Sequence, residues 1–137
     1  MLGTLQSFTT RIEVQARSET LQRCLSHAQL MQQWMWPTPL ITDLPAVLQE
    51  GSEFQIPLGP WLLHHRVEIL TCSRMRFILW GAADGFCEWS WGNHWVQLRV
   101  EAISLLPMSL GQFLNLRQLQ HYAAEIEGVS SGQQTPP

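Results

Sequence analysis

Two histidines are the residues of this chain best placed, by type and spacing, to do chemistry. His65 falls on the phase of Leu63, Val67 and Ile69 in an alternating run from Trp61 to Leu70. His94 falls on the phase of Val96, Leu98, Val100 and Ala102. Residues two apart in a strand share a face, so both imidazoles are expected to point inward among apolar side chains. There they would orient a polar group of a ligand, or serve as acid and base near neutral pH. A cavity-mouth or hydrogen-bonded core histidine fits the same pattern. His64 and His65 cannot chelate one ion together, because neighbours on a strand point to opposite faces. Cys24, Cys72 and Cys87 lack metal-ligand spacing and read as free thiols. No metal or cofactor is expected.

The tryptophans form a second constellation. Trp61, Trp89 and Trp91 take the inward phase, and with Phe113 of the last helix they would wall a flat-sided pocket for an apolar ligand. The same side chains would equally fill the interior and leave no room. Trp80 and Trp95 take the outward phase, where with Leu62 and Ile78 they would make an apolar patch for a protein partner or a homodimer. The catalytic inventory is short: no G-x-S-x-G elbow, no glycine-rich phosphate loop and no H-E-x-x-H. Glu53, Glu68, Glu88 and Glu101 fall mostly on outward phases, where Arg66, Arg76 and Arg99 can pair with them across strands.

The elements that would position these residues follow from periodicity. Phe8, Thr10, Ile12, Val14 and Ala16 alternate with polar neighbours, which describes a half-buried strand. Ser18 offers an N-cap, and Leu21, Cys24, Leu25, Ala28 and Met31 then recur at helical spacing. Ser26-His27 divides that stretch into two short helices. Five more strands are expected, over 52–57, 61–70, 74–79, 86–91 and 94–102. Asp84-Gly85 and Gly92-Asn93 are read as the hairpin turns, since these residue types supply positive φ. A helix over 107–127 carries Leu110, Phe113, Leu116, Leu119, Ala123 and Ile126 as its buried stripe and stops at Gly128. It would be roughly 30 Å long, enough to cross a small sheet. The expected fold class is α+β, with one domain over 1–128 and a disordered tail over 129–137, rich in Ser, Gly, Gln and Pro.

Composition bounds the function. The chain has 137 residues and a net charge of -3, and all of its eight basic residues are Arg. Without a basic stripe there is no nucleic-acid footprint. No apolar run approaches the roughly 20 residues of a bilayer span, and the start of the chain lacks the features of an export signal. A cytoplasmic location is expected.

Strand, two short helices, five antiparallel strands and a long helix is the element order of the SRPBCC superfamily (START-like, polyketide cyclase-like), whose fold is called the helix-grip. The chain resembles it over roughly residues 6–127. The resemblance is carried by Phe8-Thr-Thr-Arg-Ile-Glu-Val leading to Ser18-Glu19-Thr20, by Met31 to Trp34, and by the block Asp84 to Gln112. That last block looks most like a small cyanobacterial branch. Ser26-His27 stands where the family often has an acidic residue, and Asn93-His94-Trp95 where a Gly-Thr turn is common. The resemblance implies a curved sheet wrapped around the C-terminal helix, with a cavity between them for a hydrophobic small molecule such as a lipid, isoprenoid or pigment. The alternatives are a polyketide cyclase-like or dehydrase-like enzyme using His65 or His94, and an interaction module using the outer tryptophans.

Overall fold

The computed structural model describes residues 3–36, 38–40, 44–104 and 106–134; of the side chains in the last helix, 110 and 130–134 are left out. The elements are β1 (Thr4–Glu13), α1 (Ser18–Ser26), α2 (Ala28–Trp34), β2 (Glu53–Leu58), β3 (Trp61–Leu70), β4 (Arg74–Gly81), β5 (Ala83–Gly92), β6 (Trp95–Ser104) and α3 (Ser109–Gln134). One antiparallel sheet has the order β1-β6-β5-β4-β3-β2. The fold is α+β, a six-stranded curved sheet gripping a C-terminal helix, as the alternation of the strands predicts.

The alternation sets the core directly. Phe54, Leu63, Val67, Met75, Phe77, Leu79, Cys87, Trp89, Trp91, Val96, Leu98 and Val100 are all buried on the concave face. The α1–α2 stripe is buried as well: Leu21, Cys24, Leu25, Ala28 and Met31. His27 separates the two helices by leaving helical geometry (φ −93°, ψ 118°) and forming an isolated bridge with Val47.

Four local expectations change. Ser18 is the first residue of α1 rather than its cap; its N–H donates to Asn93 Oδ1 at 2.9 Å, so the cap comes from the β5–β6 turn. Asp84-Gly85 is not a turn. Both residues pair with β6, opposite Ile103 and Ala102, and the chain reverses three residues earlier, at Gly81–Ala82. Gly81 holds φ 90°, and an added Cβ there would lie 2.7 Å from the Leu62 carbonyl oxygen, so the reversal itself requires glycine at this position. The β5–β6 loop is Asn93-His94 rather than Gly92-Asn93, because Gly92 already pairs with Trp95. Finally, α3 begins at Ser109 and runs through Gly128 to Gln134. Gly128 lacks the positive φ that would end the helix there.

The buried stripe of α3 is Gln112, Leu116, Leu119 and Ala123, preceded by Met108 just before the helix. Leu110 of the expected stripe lies outside the described side chains, and Ile126 is half-buried. Glu127, near the far end of α3, accepts from the Arg17 backbone N–H at 2.7 Å, from Arg17 Nε at 3.0 Å and from Thr20 Oγ1 at 3.1 Å. That carboxylate ties the helix end to the start of α1.

Candidate functional site

A small cavity lies between the sheet and the helices, and His65 is in its wall. β2, β3, β4 and β5 supply Phe54, His65, Phe77 and Trp89. The early helices supply Met31 and Trp34, and α3 supplies Gln112 and Asn115. The cavity volume is about 30 Å³. One water needs roughly 10–15 Å³ on this measure, whereas a cavity that takes a benzene ring is about 150 Å³. The interior therefore holds a water or a narrow group, not a ring. A second and larger space, about 250 Å³, lies between α3 and the β2–β3 hairpin. Its wall shares Ile56, Gln112 and Asn115 with the interior cavity, so these three residues stand at the junction of the two.

His65 is held by its surroundings in one orientation. Phe54 stacks on its face with centroids 4.5 Å apart and planes 9° apart, and Phe77 meets it edge-on at 5.5 Å. Its Nδ1 lies 3.3 Å from the Leu63 carbonyl oxygen. Burial pushes the imidazole pKa down to about 4, against a smaller upward pull from that carbonyl. At neutral pH the ring is uncharged. Cys87, also in the wall, is pushed up to about 12 by burial and stays a thiol.

Trp89 is buried in the cavity wall and meets Trp34 edge-to-face at 5.9 Å. The Trp34 indole N–H donates to the Cys24 carbonyl at 2.7 Å, which locks the ring. Trp91 is also buried, on the inward phase, but it is not among the residues lining either space, and its indole N–H has no partner among the described residues.

The other expected site residues lie elsewhere. Trp61 shares the phase of Leu63, but it starts β3 at the hairpin tip beside Gly59 and is 46% exposed. His94 is exposed in the β5–β6 loop at φ 69°. Its N–H donates to the Ala16 carbonyl at 2.9 Å, and its own carbonyl accepts from Val14 N at 3.1 Å. It is a joint between the hairpin and the β1–α1 link, far from any ligand role at the wall around His65. Phe113 is 46% exposed, because one residue along a helix is about 100° of rotation and Gln112 takes the inward position. Phe113 lies over a surface groove with Phe8 and Thr10 of β1.

Trp80 and Trp95 do not form one outer patch. Trp80 follows Leu79, which pairs with Gly85, while Trp95 pairs with Gly92 at the other end of β5. Those positions are roughly 20 Å apart along the strand. Each ring is also covered: Trp80 stacks on His64 at 5.2 Å with the Arg66 guanidinium 5.7 Å away, and Arg11 lies 4.2 Å over Trp95.

Gln112, Asn115, Trp34 and Met35 are the wall residues that neither the strand phases nor the helical stripes singled out. For Gln112 a signal existed: it is a polar residue on the spacing of Met108, Leu116, Leu119 and Ala123. No hydrogen bond of the Gln112 or Asn115 side-chain amides is present among the described residues. Among the described residues, no helix is long and apolar enough to cross a membrane.

No protein-family model matches the chain, and no curated protein does. Solved structures do. CalU16 of Micromonospora echinospora is 14% identical with a TM-score of 0.65, over 93% of this chain and 83% of that one. Protein CV1439 of Chromobacterium violaceum is 12% identical with a TM-score of 0.65, over 88% and 96%. A Thalictrum norcoclaurine synthase, a point mutant in complex with a transition-state analogue, is 9% identical with a TM-score of 0.61, over 91% and 98%. CalU16 and the synthase have SRPBCC, polyketide cyclase-like folds, and at these identities the likeness is one of fold.

Proposed function

We propose that this chain binds a hydrophobic small molecule, of the lipid, isoprenoid or pigment kind, between the sheet and α3. The observation that carries the reading is the junction itself. A cleft of about 250 Å³ leads to a buried cavity of about 30 Å³ past Gln112 and Asn115. Polar side chains with no hydrogen-bond partner among the described residues, in a largely apolar wall, are what a binding site needs to orient a mostly apolar ligand. The volumes divide the ligand: its body lies in the cleft, and only a narrow end reaches the interior.

Binding is favoured over cyclase-like catalysis by the protonation states. Proton transfer works best when the pKa of the acid or base lies near the working pH. His65 at about 4 and Cys87 at about 12 are both far from neutrality. The fold alone does not decide between the two readings. Titration with apolar probes, followed by Trp fluorescence, tests the proposal. Saturable quenching that weakens in Trp89→Phe and Gln112→Leu is expected. An absence of saturable binding, together with native mass spectra free of any bound molecule after purification from the natural host, would overturn it.

A further inference from the structure

We infer that the ligand's buried end is uncharged and carries a hydrogen-bond donor, a hydroxyl above all, which His65 Nε2 accepts. This rests on the binding site proposed above and names its ligand class. The tautomer follows from the wall. A carbonyl oxygen only accepts, so the contact between His65 Nδ1 and the Leu63 carbonyl at 3.3 Å places the ring hydrogen on Nδ1. In the neutral ring Nε2 is then a bare lone pair. Nε2 has no hydrogen-bond partner among the described residues and is not one of their fully buried unpartnered atoms, so it faces accessible space in the wall of a residue that is otherwise 6% exposed. Phe54 covers one face of the ring and Phe77 packs edge-on against it, so ligand access is by the in-plane edge. Burial holds the imidazole uncharged at neutral pH, which keeps that edge an acceptor.

The rest of the wall excludes charge. Among the described residues lining the interior cavity there is no Arg, Lys, Asp or Glu. A carboxylate or an ammonium drawn into it would lose its water without gaining a counter-charge, which is strongly unfavourable. Size points the same way, since about 30 Å³ admits a hydroxyl on a chain end but not a ring. Gln112 and Asn115, at the junction, both donate and accept, so they tolerate a second polar group further along the ligand.

The test uses the full chain and three probes of one chain length: 1-decanol, decyl methyl ether and decanoate, titrated near neutral pH and read by Trp fluorescence and calorimetry. The alcohol is expected to bind about tenfold or more tighter than the ether, because the ether leaves Nε2 unpaired. Decanoate should be weaker than the alcohol by at least as much. His65→Phe keeps the aromatic packing and should abolish the alcohol-over-ether preference while leaving ether binding in place. If that variant does not fold, the wild-type comparison decides, supported by an imidazole nitrogen NMR shift that moves with the alcohol and not with the ether. Equal binding of alcohol and ether, or a preference that survives in His65→Phe, overturns the inference and leaves the binding site standing. If none of the probes binds, both fall together.

Discussion

Phe54 of β2 lies flat on His65 of β3, 4.5 Å between centroids, although the two side chains come from the pair of strands at the edge of the sheet. The stack closes one face of the imidazole and takes it out of water. It thereby couples the core to pH.

The folded pKa of His65 is about 4 and its ordinary value is 6.5. Between those values the unfolded chain binds a proton that the folded chain does not, so stability rises with pH across this window. The contribution is fully present above 6.5 and is lost as pH falls towards 4, at most about 3 kcal/mol for this difference. Chemical denaturation at a series of pH values should show that slope, and His65→Phe should flatten it. Below the window a second loss follows. Burial by itself would raise the Glu88 carboxyl, but Arg74 and Arg76 hold it below the usual carboxylate range, so its stabilisation disappears as it protonates. The His65→Phe variant should retain this lower part of the profile.

Leu98 and Leu119 have no exposed surface, whereas Phe113 is 46% exposed. Leu98→Ala or Leu119→Ala should therefore cost about 2–5 kcal/mol. Phe113→Ala should cost less than about 1 kcal/mol, as surface positions do. Equilibrium unfolding of the three variants measures the contrast. A Phe113 loss as large as that of Leu98 would mean that α3 is rotated from the position described.

Gly85 serves close approach rather than a turn. A Cβ at this position would run into the Glu101 carbonyl oxygen and lie 2.6 Å from Ala102 Cα, both backbone atoms of β6. Backbone cannot swing aside as a side chain can. Gly85→Ala should cost about 3 kcal/mol or more, with loss of amide protection spreading along the β5–β6 pair. Gly111→Ala, on open space, is the matched control and should be neutral or stabilising.

Glu127→Ala removes the acceptor of the Arg17 N–H and of Thr20 Oγ1, and should cost about 1 kcal/mol, the usual size of a helix cap. Deletion of 129–137 removes the end of α3, which runs on to Gln134 where a disordered tail was expected, but it spares that carboxylate and should leave the melting temperature unchanged. Val129 is 60% exposed, in keeping with this outcome. Extending the deletion through 127 should lower the melting temperature.

Several features of the fold were legible in the residues themselves because they are local. Strand alternation follows from a period of two, so Phe54, His65, Phe77, Trp89 and Leu98 could be assigned to the inner face without any contact being known. The break between the first helices at Ser26-His27 and the order of the elements are equally local. Turn positions were not, because Asp84-Gly85 and Gly92-Asn93 both carry turn chemistry and only the pairing of β5 with its neighbours selects Gly81–Ala82 and Asn93-His94. That selection moved His94 from a strand face to a loop.

The site itself was decided by tertiary packing. Phase says which face a residue is on, not how far the covered part of that face extends, so Trp61 reads like Leu63 yet stands exposed at the hairpin tip. On α3, spacing allowed either Phe113 or Gln112 to face the sheet, and the rotation of the helix against the strands chose the glutamine. The free space around His65, about 30 Å³, is the small remainder left when Trp34, Trp89, Phe54 and Phe77 have packed. Such a remainder depends on distances between elements far apart in the chain, and no local pattern of residues encodes it.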